Sequence, residues 1–278
     1  MTDLLLVTIC IPTYQHESFI AQTLEGCLSQ QTDFDFEIIV GDDASSDQTP
    51  KIIKEYADRF PKIIKPFLHQ TNLGPVFPKE LGGKNNVKFL FERCKTKYIA
   101  LCEGDDYWIE PLKLQKQIDF LEQNEDYNLS HHQTQIIYQN SFKTDFFNDQ
   151  FRKQTNEIDE MLADHWVIAT TSAVFRNVFQ NGMAIWFEEA ASGDWAIFFQ
   201  VIQEKKIHYL SQTMGVYRKH LGGMTNIHIE KNRFFLKNRL EMFRSIKPFY
   251  SFARQEIIEK TINEYGKKLK ILSNSHID

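Results

Sequence analysis

No apolar run in this 278-residue chain is long enough to cross a bilayer. The stretch from Leu4 to Ile11 lacks the basic lead-in and small-residue cleavage site of a secretion signal, so it reads as a strand. Positive charge is not in excess. The formal net charge is −5, which argues against a general nucleic-acid binder. Cysteine is sparse and unpatterned. Cys10, Cys27, Cys94 and Cys102 show neither C-x-x-C spacing nor a disulfide scaffold, and each lies in an apolar segment. They read as reduced core thiols of a cytosolic protein. Internal repeats and low-complexity tracts are absent as well.

Several familiar site motifs are also missing. Asp43-Ala-Ser45-Ser-Asp47 begins like a calcium loop, but Gln48 and Lys54 stand where its glycine and bidentate glutamate belong. Gly82-Gly83-Lys84 hints at a phosphate loop, but Pro78 replaces its first glycine and Asn85 its Ser/Thr. No G-x-G-x-x-G follows a strand, so a dinucleotide fold has no support. His16-Glu17 lacks the second histidine of a zincin.

What the chain does have is acid at strand ends. Tyr98 to Cys102 is a nearly continuous apolar run, as expected of a strand covered on both faces. It breaks into Glu103-Gly104-Asp105-Asp106, then leaves through Pro111 into a helix striped by Leu114, Ile118 and Leu121. Three carboxylates within four residues repel one another. A bound divalent cation makes such a cluster tolerable, so a metal or phosphate site is expected here; a solvated acidic turn is the alternative. Capping is weakened as an explanation, because Asp105 and Asp106 lie too far upstream of the helix. A second acidic turn, Asp42-Asp43, ends the strand Phe36–Val40.

The first half alternates strand and helix. Strands are expected at 4–11, 36–40, 62–68 and 98–102, with helices near 18–29, from Thr49-Pro50, and around Val87 to Cys94. That order predicts a doubly wound, mostly parallel α/β sheet, with both acidic turns at one edge. The second half is less regular. A strand is expected at 128–138, a hairpin or excursion at 139–155, and a strand at 170–176. A helix opens with Gly193-Asp194, and two short strands are expected at 206–210 and 214–218. From about His228 the chain turns helical and basic. The organisation expected is a catalytic domain over 1–226 and a helical extension over 227–278.

Four segments together resemble family 2 glycosyltransferases of the GT-A fold: ICIPTYQHESFIAQTLEGCLSQ, FEIIVGDDASSDQT, KYIALCEGDDYWIEPLKLQKQIDFL and GVYRKHLGG. The resemblance implies a nucleotide-sugar donor, with UDP favoured, a divalent cation (Mg²⁺ or Mn²⁺) and inversion at the anomeric carbon. It implies that Pro12, Thr13 and Tyr14 hold the nucleobase and that Asp43 contacts base or ribose. Glu103 stands where the family carries the leading Asp of an Asp-x-Asp motif. Asp105, Asp106 and His220 are the implied cation ligands, with Asp105 also on the donor. Lys84 lies near an Arg/Lys-Asn element that pairs with diphosphate, and a solvated loop lysine is the alternative.

Asp194 matches the family's catalytic base; as an Asp at a helix start it also suits a cap. Trp108 and Trp195 are candidates for stacking on sugar rings, against a core role. The acceptor implied is a saccharide or a lipid- or protein-linked glycan, in the assembly of bacterial surface polysaccharide or glycoconjugate. The rival reading is a non-catalytic nucleotide-sugar-binding protein or scaffold, kept open by the Glu at 103. A sugar nucleotidyltransferase is disfavoured, since Pro12 to Glu17 contains no glycine. The basic C-terminal helices either show cations to solvent or dock on anionic lipid at the cytoplasmic face of a membrane.

Overall fold

The computed structural model describes residues 5–74, 83–139, 141–147, 155–156, 158–190, 192–223 and 233–274. The first half runs β1 (Leu5–Thr13), α1 (Ile20–Leu28), β2 (Asp35–Asp42), α2 (Thr49–Arg59), β3 (Ile64–Leu68), α3 (Lys84–Phe91), β4 (Tyr98–Leu101), β5 (Tyr107–Trp108) and α4 (Lys113–Gln123). The second half runs β6 (Tyr127–Tyr138), β7 (Thr144–Phe146), β8 (Thr155–Asn156), α5 (Asp159–Leu162), β9 (Val174–Arg176), α6 (Ile185–Glu189), α7 (Gly193–Ile202), β10 (Lys206–Lys219), α8 (Arg233–Ile246) and α9 (Phe252–Asn274).

One sheet runs through the fold in the order β3-β2-β1-β4-β9-β6-β10-β5. Its N-terminal half, β3-β2-β1-β4, is parallel. Beyond β4 it becomes mixed: β9 lies antiparallel to both β4 and β6, while β10 runs parallel to β6. The near-continuous apolar strands follow from two covered faces. Val7, Ile9 and Ile11 of β1 and Tyr98 and Ala100 of β4 point into one apolar cluster with α1, α2 and α4. Cys10, Ile99 and Leu101, the intervening residues, point into the other with α3, α7, α8 and α9.

The second half departs from expectation in two places. The strands expected at 206–210 and 214–218 are one strand, β10, whose register against β6 shifts between Leu210 and Thr213 and again before Gly215. A bulge absorbs the polar Ser211-Gln212-Thr213, which reads in sequence as a break. At 170–176 only Val174–Arg176 is strand. Thr170–Ser172 forms a 3₁₀ turn, in which Ser172 Oγ donates to the carbonyl of Ala169 at 2.6 Å.

The C-terminal helices share the core of α7: Leu236, Leu240 and Phe243 of α8 and Ile258 and Tyr265 of α9 join Trp195 and Phe199. The expected boundary at 226/227 lies outside the described residues. Part of the basic charge in this segment is paired: Arg239 with Asp164, Arg244 with Glu241, Lys247 with Glu259, and Arg254 with Asp159 and Glu204. Among the described residues no helix is long and apolar enough to cross a membrane.

Candidate active site

The end of β1 carries both acidic turns. The Gly104 N–H donates to the Pro12 carbonyl at 3.0 Å, and the Asp43 N–H donates to the Thr13 carbonyl at 3.0 Å. Consecutive backbone oxygens thus tie the turn after β4 and the turn after β2 to one strand tip. That is the carboxyl edge of a parallel sheet, where such folds bind ligands. Gly104 permits the approach. A Cβ there would overlap the Thr13 side chain and come within 2.9 Å of Nδ1 of His16.

Glu103, Asp105 and Asp106 each present a carboxylate oxygen within 4.8 Å of the others. Asp105 belongs to a second set as well, with His16 and His220. Nε2 of His220 lies 3.0 Å from Asp105 Oδ2, and Nε2 of His16 lies 3.8 Å from the same oxygen. Burial pushes Asp105 upward, but the hydrogen bond from His220 and the nearby imidazoles outweigh it and hold the carboxyl below its ordinary value. Glu103 goes the other way: burial, then the charges of Asp105 and Asp194, push it up to about 8. Asp106 is fully buried. Its Oδ1 accepts the Arg218 N–H at 2.9 Å, and its Oδ2 has no hydrogen-bond partner among the described residues. Burial and then the charges of Asp105 and Glu103 raise it well above the usual range.

A hard divalent cation fits these residues. The buried Oδ2 of Asp106 has no hydrogen-bond partner among the described residues, while Asp105 and His220 offer an oxygen and a nitrogen to one point.

Asp194 enters from the far half of the chain. It sits in the first turn of α7, and the residue before that helix, Ser192, accepts the Ala196 N–H on its carbonyl. Burial raises the Asp194 carboxyl, with the Arg239 guanidinium pulling against it. The Asp194 charge is the last of the three causes that raise Glu103. Gly193, the residue before Asp194, faces the Lys84 side chain at the start of α3.

The expected donor residues divide. Tyr14 is 48% exposed beside the buried Thr13. Asp42 takes the local turn, accepting from the amide and hydroxyl of Ser45, and Asp43 accepts the Leu73 N–H at 2.6 Å. Lys84 was expected on the diphosphate. In the structure it is buried and its Nζ donates to the carbonyls of Phe187 (3.1 Å) and Ala190 (3.4 Å). Asn85 Nδ2 donates to Leu73 O and Asn86 Nδ2 to Gly41 O, so the Lys-Asn-Asn run ties α6, the segment after β3 and the end of β2 together. The expectation that Trp108 and Trp195 stack on sugars is corrected: they are 3% and 1% exposed, and Trp108 Nε1 donates to the Thr171 carbonyl.

Three site residues were not singled out from sequence. His16 was read only as a failed zincin, although it follows the strand tip by three residues and its Nδ1 lies 3.1 Å from Thr13 Oγ1. Arg218 donates through its guanidinium to the Asp105 carbonyl and the Gln22 side chain, locking the acidic turn to α1. A basic residue two before His220 was the available signal. Arg239 carried no signal beyond a general basic run.

The comparisons agree with this geometry. The family described as Glycosyl transferase family 2 matches residues 8–183. An uncharacterized protein of Mycobacterium tuberculosis is 34% identical over 82% of this chain and 62% of its own length. The chain thus spans under two thirds of the mycobacterial relatives it matches. The minor teichoic acid biosynthesis protein GgaA of Bacillus subtilis is 26% identical over 77% of this chain and 47% of its own. Among solved structures, S. aureus TarS 1-349 in complex with UDP-GlcNAc superposes with a TM-score of 0.66 at 16% identity, covering 95% of this chain and 72% of that one. The mannosyltransferase PcManGT from Pyrobaculum calidifontis, in complex with GDP-Man and Mn²⁺, gives 0.63 at 13% identity, covering 98% and 74%. These structural likenesses establish the GT-A fold. With the match across residues 8–183 and the site at the carboxyl edge of the sheet, the chain belongs to glycosyl transferase family 2.

Proposed function

We propose that this protein is a cation-dependent, inverting glycosyltransferase that moves a sugar from a nucleoside-diphosphate sugar to an acceptor hydroxyl in the assembly of a cell-surface polymer. The carrying observation is the pairing of Asp105 with His220, 115 residues apart in the chain, in a cluster with Glu103 and Asp106 at the carboxyl edge of the sheet. The similarity to GgaA, a minor teichoic acid biosynthesis protein, supports the polymer class, and TarS with UDP-GlcNAc supports a UDP-sugar.

The acceptor oxygen attacks the anomeric carbon as its proton passes to Asp194. The bond from that carbon to the diphosphate oxygen breaks, and its electron pair leaves with the diphosphate. A base needs affinity for that proton while remaining ionised, and the opposed effects of burial and Arg239 on Asp194 suit this. Asp105 and His220, with Asp106 behind them, would hold Mg²⁺ or Mn²⁺, which neutralises charge on the departing diphosphate. In this reading Tyr14 and Asp43 serve the nucleoside, and Glu103 reaches a ribose hydroxyl or a cation-bound water.

The rival reading, a nucleotide-sugar-binding protein without transfer, is favoured by Glu103, whose carboxyl near pKa 8 departs from an ionised Asp at that place. Hydrolysis of UDP-sugars with Mn²⁺ and no acceptor separates the two. Slow, cation-dependent release of UDP that disappears in Asp105→Ala supports transfer; tight binding with no turnover supports the rival. The ion pairs of α8 and α9 leave the expected docking on anionic lipid without support.

A further inference from the structure

The base lies in α7, and the group that organises it comes from the C-terminal helices. We propose that Arg239 of α8 is the positioning residue of Asp194: it holds Ser192 and Trp195 on either side of the Gly193-Asp194 pair and so sets a positive charge at the start of α7 that carries the carboxylate.

The geometry is specific. Nη2 of Arg239 donates to Ser192 Oγ at 2.9 Å, two residues before Asp194. Nη1 donates to Asp164 Oδ1 at 3.0 Å, and the guanidinium carbon lies 4.0 Å from the ring centroid of Trp195, the residue after the base. Arg239 therefore grips the residues on both sides of the Gly193-Asp194 pair. Asp164 is itself held by the Tyr265 hydroxyl of α9 at 2.8 and 2.9 Å, and its backbone sits at φ 65. Both C-terminal helices thus converge on the base. A buried guanidinium is a poor choice for stability alone. Nε of Arg239 is buried with no hydrogen-bond partner among the described residues, a cost that packing would have avoided with an apolar side chain.

Among the described residues, the charged group that acts on the Asp194 carboxyl is Arg239 from α8, which favours its ionised form, and the Asp194 charge in turn raises Glu103 in the turn after β4. Lys84 of α3 approaches Gly193 with its Cβ but directs Nζ to the Phe187 and Ala190 carbonyls. The inference rests on Asp194 as base for its catalytic consequence, but not for its physical content.

The test is a ¹³C NMR titration of protein labelled at Asp Cγ, with the Asp194 signal assigned by its loss in Asp194→Asn. In Arg239→Met the Asp194 titration is expected to move up by about one pH unit, the scale of one nearby charge. In Arg239→Lys it should stay closer to wild type. In Asp164→Asn, which removes the acid sharing Arg239, it is expected to move down. If Arg239→Met fails to fold, the near-isosteric Asp164→Asn decides alone. An Asp194 titration unmoved by Asp164→Asn, or by a folded Arg239→Met, overturns the proposal, whereas loss of folding stability without a titration shift marks a merely structural arginine. Because no donor is present, failure here is distinct from failure of the transferase reading, which Asp194→Asn turnover tests separately.

Discussion

Asp105 Oδ2 and His220 Nε2 lie 3.0 Å apart although 115 residues separate them in the chain. The acid comes from the turn after β4 and the imidazole from just past the end of β10. The family match ends at residue 183, so the histidine and Asp194 both lie beyond it. The site is a property of the whole sheet rather than of the matched segment.

Asp194→Asn is expected to lower turnover by about 10²-fold or more, the usual scale of a general-base contribution, while leaving donor affinity near wild type. Steady-state kinetics beside a titration of UDP-sugar in Mn²⁺ checks it. Unchanged turnover would remove Asp194 from the chemistry.

Asp105→Ala and His220→Ala should each weaken Mn²⁺-dependent UDP binding, whereas the Mn²⁺-independent component should change little. Asp106→Asn is expected to act differently. It keeps an acceptor for the Arg218 N–H, so its main effect should be on cation affinity rather than on folding. Calorimetric titration with and without Mn²⁺ distinguishes these outcomes.

Gly104→Ala should displace the acidic turn, since the added methyl overlaps Thr13 and approaches His16 Nδ1 to 2.9 Å. Overpacking of this kind costs about 1–3 kcal/mol. Lowered thermal stability together with lost Mn²⁺ binding is the expected pair; a variant with native cation affinity would contradict the placement of the turn.

Lys84→Met distinguishes a loop fastener from a phosphate ligand. With Nζ on the Phe187 and Ala190 carbonyls, its loss should lower stability and turnover and spare UDP affinity. A large loss of UDP affinity would return Lys84 to the diphosphate.

The buried histidines His131 of β6 and His208 of β10 set an acid limit on folding. Burial, with a smaller push from His208, lowers His131 to about 3, and burial lowers His208 to about 4. Between these values and the ordinary 6.5 the unfolded chain binds more protons, so their contribution is present above pH 6.5 and is lost as pH falls through 4. Each such group changes stability by up to about 1.4 kcal/mol per pH unit. The raised carboxyls of Glu103 and Asp194 act oppositely over part of this range, so the readable quantity is the difference between His131→Gln and wild type. Urea midpoints from pH 7 to 4 should fall less steeply in the variant; parallel curves would contradict a neutral buried His131.

The first half was legible because strand and helix periods there are clean and the acidic turns directly follow apolar strands. The coupling of those turns through the Pro12 and Thr13 carbonyls was not legible, since backbone hydrogen bonds leave no side-chain pattern. Asp194, His220 and Lys84 carried mostly a family signal. Periodicity alone made Asp194 a helix cap, and only the fold reveals that Lys84 points to carbonyls. β10 hid its continuity because a bulge places three polar residues mid-strand. Arg239 was unreadable in a basic helix, where buried and solvated cations look alike until packing selects among them.

The most direct test is manganese anomalous scattering from crystals soaked with UDP and Mn²⁺. A single peak is expected at roughly 2.0–2.6 Å from Asp105 and near His220, shared with the diphosphate, with the open side of that site facing Asp194. A cation and diphosphate bound away from Asp105, or a bound nucleotide with no cation between the diphosphate and the acidic turn, would contradict it.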